Sequence, residues 1–371
     1  MTYFDHSATT PVHPDVLDLM HSIQKDVYGN PSSLHSQGRQ AKSIIEKARK
    51  QVANSIGAAS NQVIFTSGGT EANNQVFWSL LNQNKKHVVS DTIEHPAILK
   101  TLTQLATLGI DHDLVTVSEK GRVSIPGVES AIQENTRLIS IMLANNEVGT
   151  IQPVKEITEL AHEKNILVHT DAVQCLGKMP IDVNDLGVDF LSLSAHKFYG
   201  PKGIGILYFK NRESLSSLMM GGGQERGLRA GTENIASIAG MGLAAELAAT
   251  WLDHHIEELE SFEAQFRSGL LSYFPNAIFN GDADNKLPGL VNVSFSGHRS
   301  DILLAKLDRA NMAVSSGSAC GAGDVKPSGV LSEMGVDDKT NISTLRFSFG
   351  ASNTTGQLDL LLSELKTILT D

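Results

Sequence analysis

Along much of this chain, short apolar runs alternate with stretches of helical periodicity, and no other feature limits the fold as tightly. VIFTS (63–67), HVVS (87–90), RLISIMLA (137–144), ILVHTDA (166–172) and DFLSLSA (189–195) read as buried strands. Segments such as VKEITELAHEKN (154–165) read as helices between them. Strands joined by helical crossovers run parallel, and a parallel sheet needs cover on both faces. GIGILYF (203–209) follows DFLSLSAHKFYGPK too closely for a crossover and is expected as an antiparallel neighbour. From Thr232 to about Phe274 the pattern turns helical, with IEELESFEAQFRSGLLSYF amphipathic, and a domain boundary is expected near Leu252–His255. LVNVSFS and LRFSFG then read as strands of a smaller α+β domain. The N-terminal dozen residues are expected to join it, because TPVHPDV reads as a crossing segment before the first helix. The predicted division is 14–254 for the large α/β domain, and 1–13 with 255–371 for the small one.

Composition sets the class. At 371 residues, 41% hydrophobic and 19% charged, the chain can bury the cores of two globular domains. A net charge of -11 argues against a protein held mainly by nucleic-acid phosphates, so no direct nucleic-acid binding is expected. Two cysteines cannot make a disulfide framework, which predicts a reducing, cytoplasmic setting. MTYFDHSATTP shows no basic segment followed by an apolar run, so no signal peptide is expected. No run of about 18 apolar residues suggests a membrane span. Asn292-Val-Ser fits the glycosylation pattern but lies in an apolar run and is read as chance.

The residues with chemistry cluster at strand ends. DFLSLSA ends in Ser194, Ala195, His196 and Lys197, followed by Gly-Pro-Lys-Gly. Open α/β sheets bind ligands at the carboxyl ends of their strands. A lysine there is either a Schiff-base lysine or a strand-end lysine pointing into water, and this stretch alone does not decide. Asp171 closes the apolar run ILVHTD, where a buried carboxylate needs a partner. Alone it reads as a helix N-cap. Paired with Lys197 it favours a pyridoxal phosphate (PLP) site, in which an Asp faces the pyridine nitrogen. TSGGTEANN (66–74) joins a strand to a helix pattern, and an anion would fit against Gly69 and Thr70. Its spacing is neither a Walker A nor a dinucleotide fingerprint. His95, in IEHPAI, stands at another strand exit and could stack on a planar ring. Asn146 and Arg346 could clamp a carboxylate, although a surface ion pair is the commoner fate of an arginine. Cys320 lies among small residues in SSGSACGAG (315–323), where a thiol buries little. Cys175, beside Gln174, reads as buried packing. No metal ligands are assigned.

Taken in order, these features resemble the class V aminotransferase family of fold type I PLP enzymes, and within it the cysteine desulfurases of the NifS/IscS group. The resemblance runs from YFDHSATTP (3–11) to RFSFG (346–350) and rests on SAHKFYGPKGIG, DAVQ, NNEVG, GGGQERGLRAGT (221–232) and SSGSAC. It implies a large domain with a mostly parallel seven-stranded sheet. It implies that Lys197 carries PLP, Asp171 faces the ring nitrogen, Gln174 contacts the ring hydroxyl and His95 stacks on the ring. Gly69, Thr70, Ser194 and His196 would bind the phosphate, and Thr232 of a neighbouring subunit would add to it, which implies a homodimer. Asn146 and Arg346 would hold the carboxylate of L-cysteine, and Cys320 would take its sulfur as a persulfide, releasing alanine. The acceptor beyond Cys320 would be a protein of iron–sulfur assembly, tRNA thiolation or DNA phosphorothioation. A selenocysteine lyase, or another activity of the class V family, is the alternative.

Two departures bear on the acceptor. GAGDVKPS follows the cysteine where Isc-type members carry Thr/Ser-rich residues and an acidic one, and Lys326 precedes Pro327. The chain also ends at Asp371, where Isc-type members continue into a tail that docks their scaffold.

Overall fold

Strand runs that are apolar on both faces must be buried on both faces, and the chain meets that demand with one large sheet between helices. A computed structural model describes residues 1–317 and 326–370. The large sheet contains β2 (Val63–Thr66), β3 (His87–Asp91), β4 (Asp111–Val115), β5 (Thr136–Ser140), β6 (Leu167–Asp171), β7 (Phe190–Ser194) and β8 (Gly205–Phe209). Its strand order is β2-β8-β7-β6-β5-β3-β4. Only β8 runs against the others, pairing antiparallel with both β2 and β7. The expected antiparallel strand is therefore present, inserted between two parallel ones.

Alternation along each strand feeds two cores. Val89, Leu191, Leu193 and Ile206 pack into one, with Val52 and Ala48 of a helix at Ser36–Ser55. Val88, Phe190, Leu207 and Phe209 pack into the other, with Val76 and Phe77 of the helix Gly69–Trp78. The helix Ile235–Thr250 lies so close to Ser36–Ser55 that a Cβ at Gly242 would stand 2.6 Å from the Ala48 Cα. Only glycine allows that approach.

The C-terminal part has its own core and sheet. β10 (Leu290–Ser294) lies between β9 (Ile278–Asn280) and β12 (Thr344–Ser348), all antiparallel. Phe266 and Leu270 of the helix Leu252–Tyr273 pack against Val291, Val293 and Phe347. The chain start belongs here as well. β1 (Thr2–Tyr3) pairs in parallel with β11 (Met312–Ala313), and Asp5 bridges to Ser348. The crossing segment then leads to the first helix, Pro14–Asp26.

Two expectations need adjusting. The predicted strand 137–144 is regular only to Ser140; beyond it the Ile141 and Leu143 N–H groups still bond to β6, while Met142 and Ala144 line the pocket described below. β6 runs into turns at 173–178, with the next helix only at Val183–Leu186, so Asp171 caps no helix and Cys175 sits in a turn. Asn292 is buried at mid-strand in β10, which suits the reading of its glycosylation pattern as chance. Among the described residues, no single helix is long and apolar enough to cross a membrane.

Candidate active site

Five of the large-sheet strands deliver their carboxyl ends to one cavity of about 700 Å³. β2 supplies Ser67 to Thr70, β3 leads to His95, β5 leads to Met142 and Asn146, β6 ends in Asp171, and β7 ends in Ser194 and passes to Lys197. Parallel strands place their exits on one edge, so residues far apart in sequence converge there. Arg346 of β12 closes the cavity from the small sheet.

Lys197 sits in a 3-10 turn directly after β7. Its Nζ donates to the backbone oxygens of Ser7 at 2.6 Å and Ala8 at 2.8 Å. Burial brings this amine down to about 7, helped by the charges of Lys178 and Arg346 and opposed by Asp171 and Asp5. A substantial neutral fraction at neutral pH makes it a nucleophile.

Asp171 has found its partners without a helix to cap. Its Oδ2 accepts from Asn73 Nδ2 at 2.6 Å, and its Oδ1 accepts from the Val173 N–H at 3.0 Å. His95 caps the helix Pro96–Ala106: its Nδ1 accepts from the Ala97 N–H at 3.1 Å. An accepting Nδ1 places the proton of the neutral ring on Nε2. Partial burial lowers His95, while the Asp171 charge opposes the shift.

The TSGG turn meets the requirement for an anion cup. Gly69 begins the helix Gly69–Trp78, leaving first-turn N–H groups without helical partners. A Cβ at Gly69 would stand 2.7 Å from Val173 Cγ2, so glycine is what lets the turn meet the β6 exit. Ser194 and His196 line the same corner. His196 is driven down to about 4 by burial and by the charges of Lys197 and Lys202, so its ring is neutral at neutral pH. Glu71 braces the cup from behind: it accepts from the Ser67 N–H at 2.8 Å and pairs with Arg229 at 2.9 Å.

Arg346 is buried, with its Nη2 on Asp5 Oδ1 at 2.9 Å and its Nη1 on the Asn146 carbonyl at 2.8 Å. Its Nε has no partner among the described residues. Ser7 Oγ and Asn73 Oδ1 are buried and unpartnered there too, and all three residues line the cavity. Such orphaned groups at a cavity wall suit a polar ligand.

The cavity thus gathers Gly69, Thr70, His95, Asn146, Asp171, Gln174, Ser194, His196, Lys197 and Arg346. Thr232 is not part of its wall and lies exposed. Cys320 lies outside the described residues. Cys175 is fully buried, and burial pushes its thiol well above the usual range, which fits inert packing. Sequence reasoning missed Ser7, Ala8, Asn73, Glu147 and Lys178. HSATT and NNEVG are polar clusters, but nothing local says that they face the strand exits. Glu147 is half of a tight pair with Ser328, whose Oγ donates to Glu147 Oε2 at 2.5 Å, and burial raises its carboxyl to about 7.

Comparison with known proteins gives the chain's relatives. A family model described as Aminotransferase class-V matches residues 2–361. A protein named cysteine desulfurase IscS from Clostridium botulinum is 44% identical over 372 residues, covering 99% of this chain and 94% of that protein. A protein named cysteine desulfurase NifS from Azotobacter vinelandii is 38% identical over 370 residues, covering 99% of this chain and 92% of that protein. A solved structure titled NifS-like protein superposes with a TM-score of 0.93 at 37% identity, covering 100% of this chain and 99% of that one.

Proposed function

Because the chain belongs to the class V aminotransferase family, and within it to the NifS/IscS group of cysteine desulfurases, we propose that this cavity binds PLP and L-cysteine and passes sulfur to Cys320. The observation that carries the reading is the convergence of Lys197, Asp171, His95 and Arg346 on one cavity wall.

The residues fit the cofactor. Lys197 is the amine that would hold it covalently, and Asp171, braced by Asn73, would pair with the ring nitrogen. Gln174 would hold the ring oxygen and His95 would stack on the ring. Gly69, Thr70, Ser194 and His196 would hold the phosphate, joined in a homodimer by Thr232 of the partner subunit. An exposed Thr232 beyond this chain's own cavity is consistent with that role. Bound PLP supplies an electron sink for the α-carbon of an amino acid.

The chain's own residues do the rest. Arg346 and Asn146 orient the substrate carboxylate. The Arg346 guanidinium has an uncommitted Nε for this, and the Asp5 pair holds its plane fixed. Lys197, neutral in part at neutral pH, takes and returns the α-proton. Sulfur leaves the substrate β-carbon and bonds to Cys320 Sγ, and the proton balance leaves alanine and a Cys320 persulfide. An acceptor protein then removes the outer sulfur. The same reading takes 14–254 as the PLP-binding domain and 1–13 with 255–371 as the small domain, which is supported by their separate cores.

Purified protein is expected to be yellow, and borohydride is expected to fix PLP to Lys197, read by peptide mass spectrometry. Cys320→Ser is expected to keep the colour and lose sulfide release from L-cysteine. A colourless protein that borohydride cannot label would sink the cofactor assignment. Full activity in Cys320→Ser would sink the sulfur acceptor.

A further inference from the structure

Lys178 is 7% exposed, in the turn that follows β6. Buried lysines are costly unless paired with a carboxylate. Lys178 makes no ion pair among the described residues, and its only side-chain hydrogen bond there goes to Gln174 Oε1 at 3.4 Å. The titratable groups around it are Cys175, His6, His255, Lys197 and Arg346, none of them an acid that is ionised at neutral pH.

The one bond it makes is informative. An ammonium only donates, and a backbone carbonyl only accepts. Gln174 lies between one of each. Its Oε1 faces Lys178, and its Nε2 donates to the Ser7 carbonyl at 3.0 Å. With those two neighbours, the buried amide has one satisfactory orientation. The same Ser7 carbonyl accepts from Lys197 Nζ at 2.6 Å. Three links therefore join the buried ammonium to the amine on the cavity floor.

We propose that Lys178 is a positioning residue for Lys197: it locks the Gln174 amide, so fixing the Ser7 carbonyl that Lys197 shares, and its charge favours the neutral form of the Lys197 amine. The charge balance around Lys197 supports this. Cations face it from two elements, Lys178 after β6 and Arg346 on β12, and burial acts in the same direction. Asp171 on β6 and Asp5 in the N-terminal segment oppose them, and the imidazoles of His95 and His196 also face the amine. Loss of Lys178 would leave Asp5 and Asp171 less opposed. The amine would then hold its proton to higher pH. This rests on the reading of Lys197 as the cofactor-bearing amine and adds to it the residue that tunes that amine.

The test is competitive acetylation of Lys197 by trace acetic anhydride in the full chain stripped of cofactor, followed by peptide mass spectrometry across the neutral pH range. Wild-type protein is expected to show a midpoint near 7. Lys178→Met moves the midpoint up and slows acetylation at pH 7 by about fivefold for a rise of about one unit, since the neutral fraction then falls from about one half to about one tenth. Lys178→Arg, which keeps charge and donors, restores the wild-type profile. Lys178→Gln keeps a donor but not the charge, and carries the same expectation should the Met variant not fold. A folded Met or Gln variant whose profile superposes on wild type overturns the proposal. So does an Arg variant that behaves like Met. Failure of borohydride to fix PLP on wild-type Lys197 would instead strike the cofactor reading, because the acetylation profile needs no PLP.

Discussion

Arg49 and Glu225 form a pair whose disruption can be sized from its surroundings. Both are almost fully buried, at 3% and 7% exposure. Arg49 Nη1 reaches Glu225 Oε2 at 2.6 Å and Nη2 reaches Oε1 at 2.9 Å, a bidentate fork. The guanidinium also donates to the Val63 carbonyl at 3.1 Å and lies 4.9 Å from the Phe65 ring centroid. Glu225 accepts from the Phe65 N–H at 3.0 Å and sits at φ +45°, in the left-handed region. The pair therefore pins GGGQERGLRAGT, the stretch that ends at Thr232, onto the helix Ser36–Ser55 and β2. Arg49→Met keeps the apolar stem but leaves a buried carboxylate with one N–H donor. That loss is expected to cost about 3–5 kcal/mol. With a urea m-value of about 3 kcal/mol/M, the midpoint falls by roughly 1 to 1.7 M. Adding Glu225→Gln removes the stranded charge while Gln Oε1 still accepts from Phe65, so the double variant should regain about half of the loss or more. Limited proteolysis within 221–232 should speed up in the single variant and slow again in the double. A single-variant cost below about 1 kcal/mol, or a double variant no better than the single, would refute the claim that buried charge dominates here.

Three further outcomes follow from the site. Gly69→Ala pushes a methyl to 2.7 Å from Val173 Cγ2 and should weaken PLP retention by about tenfold or more, read by absorbance titration. For Glu147, burial raises the folded carboxyl to about 7 from its ordinary 4.5. A raised carboxyl costs nothing at pH values below the unfolded value, and its stability contribution is lost as pH rises through the folded one. Glu147→Gln should therefore gain on wild type between about pH 4.5 and 7, by up to about 3 kcal/mol in urea melts, and a pH-independent difference would contradict this. Cys175→Ala should cost about 1 kcal/mol of packing and leave sulfide release intact, and lost activity there would break the assignment of sulfur transfer to Cys320 alone.

The large sheet was legible because parallel strands buried on both faces read as short, mostly apolar runs, as VIFT does and as FLSLS does with only small serines among its apolar residues. β4 was not, because at the sheet edge Asp111, Asp113 and Leu114 are exposed and the apolar signal is gone. Lys197, Asp171 and His95 stood out because polar residues ending apolar strands mark a strand exit. Their partners did not. Asp171 offers the same local pattern whether it caps a helix or takes the Asn73 amide from another element, and only the fold decides. Arg346 and Asp5 are 341 positions apart, so nothing local announces their pair. Lys178, in QCLGKMP, looks like any solvated lysine, because burial of a turn depends on what packs over it.

The start of the chain carries a consequence for how the protein is made. Ser7 and Ala8 supply the carbonyls beneath Lys197, yet the segment that holds them is anchored through β1 on β11 and through Asp5 on Ser348. During synthesis the first residues leave the ribosome long before those anchors exist. The large sheet can assemble from the earlier part of the chain as domains fold in order of emergence. Thr10 and His13 of the segment bond the large domain at His196 and Tyr199, but its β11 and Ser348 anchors become available only once translation has passed Ser348. On the proposed reading of Lys197, a chain stopped before Ser348 is expected to hold the carbonyls that seat its amine less firmly, because their segment keeps only its large-domain contacts.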